Sequence, residues 1–257
     1  MLRYERYESR YYVTSGVFKP MHDVPFLPEI TALFRPKVEP SLEDQLSQLY
    51  SFVQAIRSWG PVFRKWYLGG NSKREALRYE AFGEAGLNAP AYSKLRTFNS
   101  GKDTACDIGL WNGQDGTQAA GLKYLMGGLR PWTVNLRPRV DPAITTSQVL
   151  SVVEQAAFIW SPLLITAHPP SYMTKKVLRD RPGVGNMVYL PRTVTEREVP
   201  EAGALVPVTR EHCRIGTIII SVVDQMFSDL LPEHIRLANR IEVRLVDQDL
   251  LPRYADL

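Results

Sequence analysis

The stretch CRIGTIIISVV, residues 213–223, is nearly all apolar and rich in β-branched side chains, and it predicts a central strand buried on both faces. The stretch PEHIRLANRIEVRLVDQDLL, residues 232–251, follows and spaces its apolar side chains by three and four residues, as a helix does. Pro232 suits the first turn of that helix. A buried strand followed by an amphipathic helix indicates a fold that combines sheet and helix.

Helical periodicity recurs in two other parts of the chain. Residues 41–59, SLEDQLSQLYSFVQAIRSW, place apolar side chains on one helical face, and Ser41 is a natural N-cap. Residues 145–160, TTSQVLSVVEQAAFIW, show the same pattern. Residues 10–18, RYYVTSGVF, are aromatic and β-branched and predict a first strand.

Residues 106–113 predict a strand that ends in an Asn-Gly turn, and residues 130–137 alternate as a half-buried strand does. We expect the two either to form a hairpin or to be neighbours in an antiparallel sheet. The five prolines in residues 20–40 predict an irregular connection, and residues 193–212 are interpreted as a polar loop. The chain is therefore predicted to be an α+β protein with a largely antiparallel central sheet flanked by helices. One domain over residues 1–257 is expected, because no clean linker divides the sequence.

A glycine pair interrupts the segment WYLGGNSKREAL. We expect Gly69 and Gly70 to provide the left-handed residue that ends a short helix over residues 62–68. Ser72 and Glu75 have the spacing of a capping box that begins the next helix. The segment lacks the G-x-x-x-x-G-K-[ST] pattern of a phosphate-binding loop, so a joint between helices is the better interpretation.

Composition narrows the class of protein. The 257 residues carry a net charge of +4 without a dense cluster of basic side chains, so a nucleic-acid-binding module is the weakest of the alternatives.

Residues 1–10 lack the apolar core of a secretory signal, and no apolar stretch approaches the length of a membrane span. Cys106 and Cys213 are interpreted as reduced, buried thiols. A soluble, cytoplasmic protein is expected.

Catalytic and metal-binding motifs are hard to find in this sequence. Its histidines stand in no metal-ligand spacing, and we predict no metal, no cofactor and no catalytic residue. This pattern favours a binding protein over an enzyme. The alternative is an uncharacterised metal-dependent hydrolase or nuclease that uses Asp107, Asp115 or His212.

Four segments resemble one known family, in the same order along the chain. FRKWYLGGNSKREAL (63–77) is similar to the F-x-x-W-Y-x-x-G-x-S-x-x-E-A-L segment of immunity protein family 52. LWNG (110–113), GNMVYLPR (185–192), and GTIIISV (216–222) followed by PEHIRLANRIEVRL (232–245) fit the same family. The resemblance extends from about residue 10 to the last predicted helix.

This resemblance implies a non-catalytic antitoxin. Such a protein would bind a cognate nuclease toxin of a type VI secretion or polymorphic toxin system, with a restriction-endonuclease-like fold, and would protect the producing cell and its siblings. The shared motifs are expected to maintain the scaffold. Their residues are therefore interpreted as packing and capping residues: Trp66, Tyr67, Ser72, Glu75 and Leu77.

The surface that would contact a toxin is predicted from charge. Nuclease inhibitors are often acidic, but a pI of about 9.0 argues against mimicry of nucleic acid by the whole chain. A local acidic surface remains open, and so does a block of toxin oligomerisation through an apolar patch. The predicted partner-binding residues are first Glu196, Glu198 and Glu201, and second Asp224, Asp229 and Glu233. Ordinary solvated carboxylates are the competing interpretation of all six.

Overall fold

A computed structural model describes residues 27–84, 86–101, 104, 107–139 and 144–257. The strand predicted over residues 10–18 lies outside the described residues, as does Cys106.

Eleven strands and five α-helices are found in the described part of the chain. The strands are β1 (Glu29–Phe34), β2 (Tyr67–Leu68), β3 (Phe82–Gly83), β4 (Gly86–Leu87), β5 (Asp107–Trp111), β6 (Ala120–Leu125), β7 (Trp132–Pro138), β8 (Leu164–His168), β9 (Met187–Leu190), β10 (Ala204–Arg210) and β11 (Cys213–Ile220). The helices are α1 (Leu42–Ile56), α2 (Lys73–Ala76), α3 (Ala89–Phe98), α4 (Thr146–Trp160) and α5 (Pro232–Asp247).

Nine of these strands form one sheet in the order β10-β11-β9-β8-β1-β7-β6-β5-β2. Every pair of neighbouring strands in it is antiparallel. Strands β3 and β4 form a separate small hairpin. The predicted α+β class with a largely antiparallel sheet is confirmed.

The middle of the sheet is occupied by β1, which lies between β8 and β7. The prediction of an irregular connection over residues 20–40 was therefore wrong for this part. Pro28 and Pro36 lie just outside the strand, where a missing backbone N–H breaks no ladder bond. Strand β11, predicted as central, is instead second from the edge, although its last five residues are buried.

Three other predictions about strands and their neighbours were wrong. The strands predicted over 106–113 and 130–137 are not neighbours, since β6 lies between them. The predicted loop over 193–212 contains β10, which pairs with β11. The short helix expected over 62–68 is a 3-10 turn followed by β2, which pairs with β5.

Helices α1 and α4 cover one face of the sheet, as their periodicity predicts. Both begin with a capping box, formed by Ser41 with Asp44 and by Thr145 with Gln148. Between them and the sheet the ring of Trp160 packs 5.0 Å from Phe52 and 6.0 Å from Phe34, measured between centroids. Such aromatic pairs add about 0.5–1.5 kcal/mol each beyond the burial of apolar area.

Helix α5 packs on the opposite face, over the part of the sheet formed by β8, β9 and β11. Its apolar side places Ile241 and Leu245 in a buried cluster with Val188 of β9 and Ile219 of β11. Because one side of the helix is committed to this cluster, its other side faces outward.

The two edges of the sheet differ in length. At one edge β10 carries Pro207, and its pairing with β11 shifts register between Val208 and Thr209. At the other edge β2 contains two residues.

The glycine pair and the free thiol also differ from expectation. Neither Gly69 nor Gly70 has a positive φ, so the left-handed helix end was wrong. Gly70 is instead required by space, because a Cβ there would lie 2.9 Å from the backbone N of Ala76. Ser72 caps α2 as predicted, by accepting the backbone N–H of Glu75. Cys213 is exposed rather than buried.

Candidate partner-binding surface

An open groove of about 630 Å³ follows the outer side of α5. Helix α5 lines the groove along its length, and the segment at Val177 and the loop at Glu201 form its two walls. Its lining residues are Val177, Glu201, Glu233, Arg236, Asn239, Arg240, Val243, Arg244 and Asp247. It therefore contains two of the six acidic residues that the sequence singled out.

The sequence of α5 explains why arginines dominate the middle of this groove. Arg236, Arg240 and Arg244 are spaced by four residues, which places them in one row along a helix. Ala238 and Ile241 occupy the buried side of the same helix. The groove is thus the polar side of the helix whose apolar side holds it to the sheet.

One wall of the groove is attached to α5 through Glu201. The Arg244 guanidinium donates to both carboxylate oxygens, with Nη2 2.8 Å and Nε 3.2 Å from Oε1, and Nε 3.3 Å from Oε2. The hydrogen bonds from Arg244 hold the pKa of Glu201 below its ordinary value. Glu201 is therefore already engaged inside the protein.

Replacing Glu201 with glutamine is expected to lower the free energy of unfolding by about 0.5–1 kcal/mol at pH 7, the range for a partly exposed ion pair. Because the folded pKa of Glu201 is lowered, its stabilising effect is present above the ordinary pKa of about 4.3 and is lost as the pH falls through the folded value. Urea denaturation at pH 7 and pH 3 tests this, with Glu196→Gln as the exposed control. An equal deficit of Glu201→Gln at both values of pH would contradict it.

The other wall is held by Glu242, on the inner side of α5 and 1% exposed. Its carboxylate accepts the hydroxyl of Tyr172 at 2.5 Å and the backbone N–H groups of Val184 at 2.9 Å and Val177 at 3.0 Å. Burial raises the pKa of Glu242 above its ordinary value, and the hydrogen bonds oppose that rise. The carboxylate thereby fixes the 177–184 segment against the helix.

The remaining predicted acidic residues lie in different surroundings. Asp229 is 3% exposed and binds Lys175 at 2.9 Å, so this carboxylate is internal. Glu198 accepts the backbone N–H and the hydroxyl of Thr195, both at 2.7 Å, and the hydroxyl contact is the main cause of its lowered pKa. Glu196, Asp224 and Glu233 are exposed. A role of any of the six in toxin binding stays a prediction.

The structure separates the residues of the hydrolase alternative. Asp107 begins β5, and Asp115 lies beyond its other end, where Lys73 forms an ion pair with it. His212 is in the turn between β10 and β11, and β11 is six strand positions from β5. Six spacings of about 4.8 Å amount to roughly 29 Å, so these side chains do not converge. Within the described ranges, no group of three or more His, Cys, Asp or Glu side chains could hold a metal ion.

Comparison with known proteins adds to this geometry. The profile described as Immunity protein 52 matches residues 34–253. The chain belongs to the immunity protein 52 family. Among solved structures, the Pseudomonas aeruginosa T6SS protein PA0821 is similar, with 9% sequence identity, coverage of 85% of this chain and 73% of that chain, and a TM-score of 0.48. No curated protein matches the chain.

The immunity protein 52 motif residues have identifiable structural roles in this chain. Trp66 is fully buried, and its indole N–H donates to the carbonyl of Phe63 at 3.0 Å. In the LWNG motif, the Asn112 amide donates to the Gln118 carbonyl at 2.8 Å and accepts the Ala120 N–H at 2.8 Å. Gly113 follows with φ +78°.

Other residues of the FRKWYLGGNSKREAL motif differ in burial and in their contacts. Tyr67 lies against Gly113, where an added Cβ would approach its ring to 2.7 Å. The Glu75 carboxylate accepts the backbone N–H of Asn71 at 3.0 Å and the Lys94 ammonium at 3.1 Å. Packing is thus confirmed for Trp66 and Tyr67, and capping for Ser72. The capping box is only half formed, because Glu75 accepts the N–H of Asn71 rather than that of Ser72, and the packing interpretation was wrong for Leu77, which is 41% exposed.

Among the residues that the structure describes, no helix combines the length and the apolar character that crossing a membrane requires.

The arginine row was missed at the level of sequence, although its signal is visible there. The four-residue spacing of Arg236, Arg240 and Arg244 can be read directly from PEHIRLANRIEVRL. The expectation that a nuclease inhibitor is acidic directed attention to carboxylates.

Proposed function

We propose that this immunity protein binds the nuclease domain of a cognate toxin and neutralises it without catalysing a reaction. The observation that carries the proposal is the match of the immunity protein 52 profile to residues 34–253, which include α5 and every strand of the sheet except most of β1. The toxin would belong to a type VI secretion or polymorphic toxin system. Binding in the cytoplasm would protect the producing cell and its siblings.

The geometry supports docking rather than catalysis. Both walls of the groove on α5 are held by internal hydrogen bonds, which Arg244 donates to Glu201 and the backbone N–H groups of Val177 and Val184 donate to Glu242. A surface that is already ordered loses little conformational entropy when a partner binds. The candidate catalytic side chains Asp107, Asp115 and His212 are distributed over the sheet. We propose no cofactor, and one immunity domain over residues 1–257.

A complex of this kind must exclude the toxin from its substrate for the lifetime of a cell. Specific inhibitor interfaces bury on the order of 1,600 Å² in total, and the tightest reach dissociation constants below nanomolar. We therefore expect a dissociation constant of about 1 nM or lower.

The test uses the full chain and the toxin domain encoded beside its gene. Co-expression should restore growth of cells that produce the toxin domain, calorimetry should show tight binding, and cleavage of DNA or RNA by the toxin should stop at equimolar immunity protein. A toxin domain from an unrelated pair is the control. Absence of binding by calorimetry would reject the proposal.

The enzyme alternative receives a parallel test. The purified chain alone is expected to leave DNA and RNA intact in the presence of Mg²⁺, Mn²⁺ or Zn²⁺. Cleavage that disappears in Asp107→Ala would instead support the hydrolase.

A further inference from the structure

We infer that the middle of the α5 groove, at Arg236 and Arg240, docks an acidic surface of the toxin in which two carboxylates lie roughly 6 Å apart. This inference rests on the proposed function and specifies its contact chemistry. The inferred contact surface is positively charged, whereas the sequence analysis predicted acidic contact residues.

The first observation is that these two guanidiniums have no ion pair or hydrogen bond among the described residues. Arg236 and Arg240 are exposed, and neither forms an ion pair or side-chain hydrogen bond with any residue that the structure describes. Arg244, four residues further along, is neutralised by Glu201 at 2.8 Å. The row therefore presents Arg236 and Arg240 without a direct contact to a carboxylate, beside Arg244, which is ion-paired. Arg240 acts on Glu201 only through its charge, which helps to lower the pKa of that carboxyl.

The second observation is the composition of the groove around them. Val177 and Val243 line the same groove and are 47% and 43% exposed. Arginine beside exposed apolar side chains is typical of the energetically important centre of a protein–protein interface, where charged lysine and glutamate are depleted. Arginine also binds carboxylates through two parallel N–H bonds, which gives direction as well as charge.

The ends of the groove restrict what fits. Glu233 and Asp247 lie at opposite ends of α5, about 21 Å apart at 1.5 Å per residue. These carboxylates repel a partner that is acidic along its whole length. A partner whose carboxylates are confined to the middle meets Arg236 and Arg240 and avoids both ends, which is a source of selectivity among toxins.

The experiment compares two doubly substituted full-length chains. Arg236→Glu with Arg240→Glu is expected to weaken binding of the cognate toxin domain about 100-fold by calorimetry and to abolish growth rescue. Arg74→Glu with Arg78→Glu makes the same change of charge at another exposed pair four residues apart and should bind as the wild type does. Thermal unfolding of both variants shows that the chain still folds, and Arg236→Gln with Arg240→Gln provides a milder change.

The outcomes separate this inference from the proposed function. If the wild type binds the toxin and all variants bind equally well, the docking surface is elsewhere while the proposed function stands. If the wild type does not bind, the proposed function fails first. If the Arg236/Arg240 and Arg74/Arg78 variants lose toxin affinity equally, the effect is one of general charge and the inference is overturned. It is also overturned if the wild type is a dimer that the Arg236/Arg240 variants dissociate, because the groove is then an interface between two copies of this chain. The inference is supported if the variant with Arg236→Glu and Arg240→Glu regains binding to a toxin domain whose carboxylates are replaced by arginine.

Discussion

Replacing Glu242 with alanine is expected to lower the free energy of unfolding by about 3–5 kcal/mol, because it leaves three donors unsatisfied, at about 1–3 kcal/mol for each one that is buried. The substitution leaves the Tyr172 hydroxyl and the N–H groups of Val177 and Val184 without their acceptor in a region where Glu242 itself is 1% exposed. It also opens a cavity beneath α5. The 177–184 wall of the groove should lose its attachment to the helix at the same time.

Urea denaturation with Glu233→Ala as control tests this prediction. Glu233 is exposed in the first turn of the same helix, so its removal should change stability by less than about 0.5 kcal/mol. A loss of under about 1 kcal/mol in Glu242→Ala would show that the network stabilises little. Hydrogen exchange at Val177 and Val184 should accelerate in the Glu242 variant alone.

The pH dependence of this deficit has a definite sign. The folded pKa of Glu242 is raised, so its contribution is fully present below the ordinary pKa of about 4.3 and declines as the pH rises through the folded value. The difference in stability between wild type and Glu242→Ala should therefore be larger at pH 4 than at pH 8. Glu201→Gln has the opposite dependence.

Replacing Gly185 with alanine is expected to lower the free energy of unfolding by about 2–5 kcal/mol. Gly185 has φ +53°, a left-handed conformation that costs a residue with a Cβ about 1–2 kcal/mol. The added Cβ would lie 2.2 Å from Cβ of His168 and 3.3 Å from the ring of Tyr172, so the backbone of the turn before β9 must move. Overpacking of this kind adds about 1–3 kcal/mol.

Gly69→Ala is the matched control, because an added Cβ there meets no atom within 4 Å and the residue has no positive φ. It should leave the midpoint of thermal unfolding nearly unchanged, whereas Gly185→Ala should lower it by roughly 4–20 °C, given about 2–4 °C for each kcal/mol in a chain of this size. Equal shifts in the two variants would contradict the role assigned to Gly185. The prediction also explains the glycine that begins the GNMVYLPR motif.

The elements that the sequence predicted correctly are those whose signal is local. Helices α1 and α4 repeat an apolar side chain every three or four residues and begin at capping residues, so no distant contact is needed to recognise them. Strand β1 has six residues, EITALF, between prolines, and its position in the centre depends on β7 and β8, more than 95 residues further along the chain. Nothing in its own residues indicates those partners.

The residues of the candidate surface also differ in whether their signal is local in the sequence. The spacing of the arginines on α5 is local and could have been recognised. The engagement of Glu201 by Arg244 spans 43 residues, and that of Asp229 by Lys175 spans 54. Because such pairs form only on folding, the sequence could not distinguish a carboxylate that is free to meet a partner from one that is already bound.

The two ends of the nine-stranded sheet limit how any other protein can attach to this one. Strand addition requires a run of unpaired N–H and C=O groups, and Pro207 together with the shifted register of β10 interrupts that run, while β2 offers only two residues. Within the residues that the structure describes, neither edge of the sheet therefore presents a long, uninterrupted backbone for strand addition. We therefore expect side chains to carry recognition, so that a few substitutions in the groove on α5 would redirect the chain to a new toxin while its scaffold stays the same.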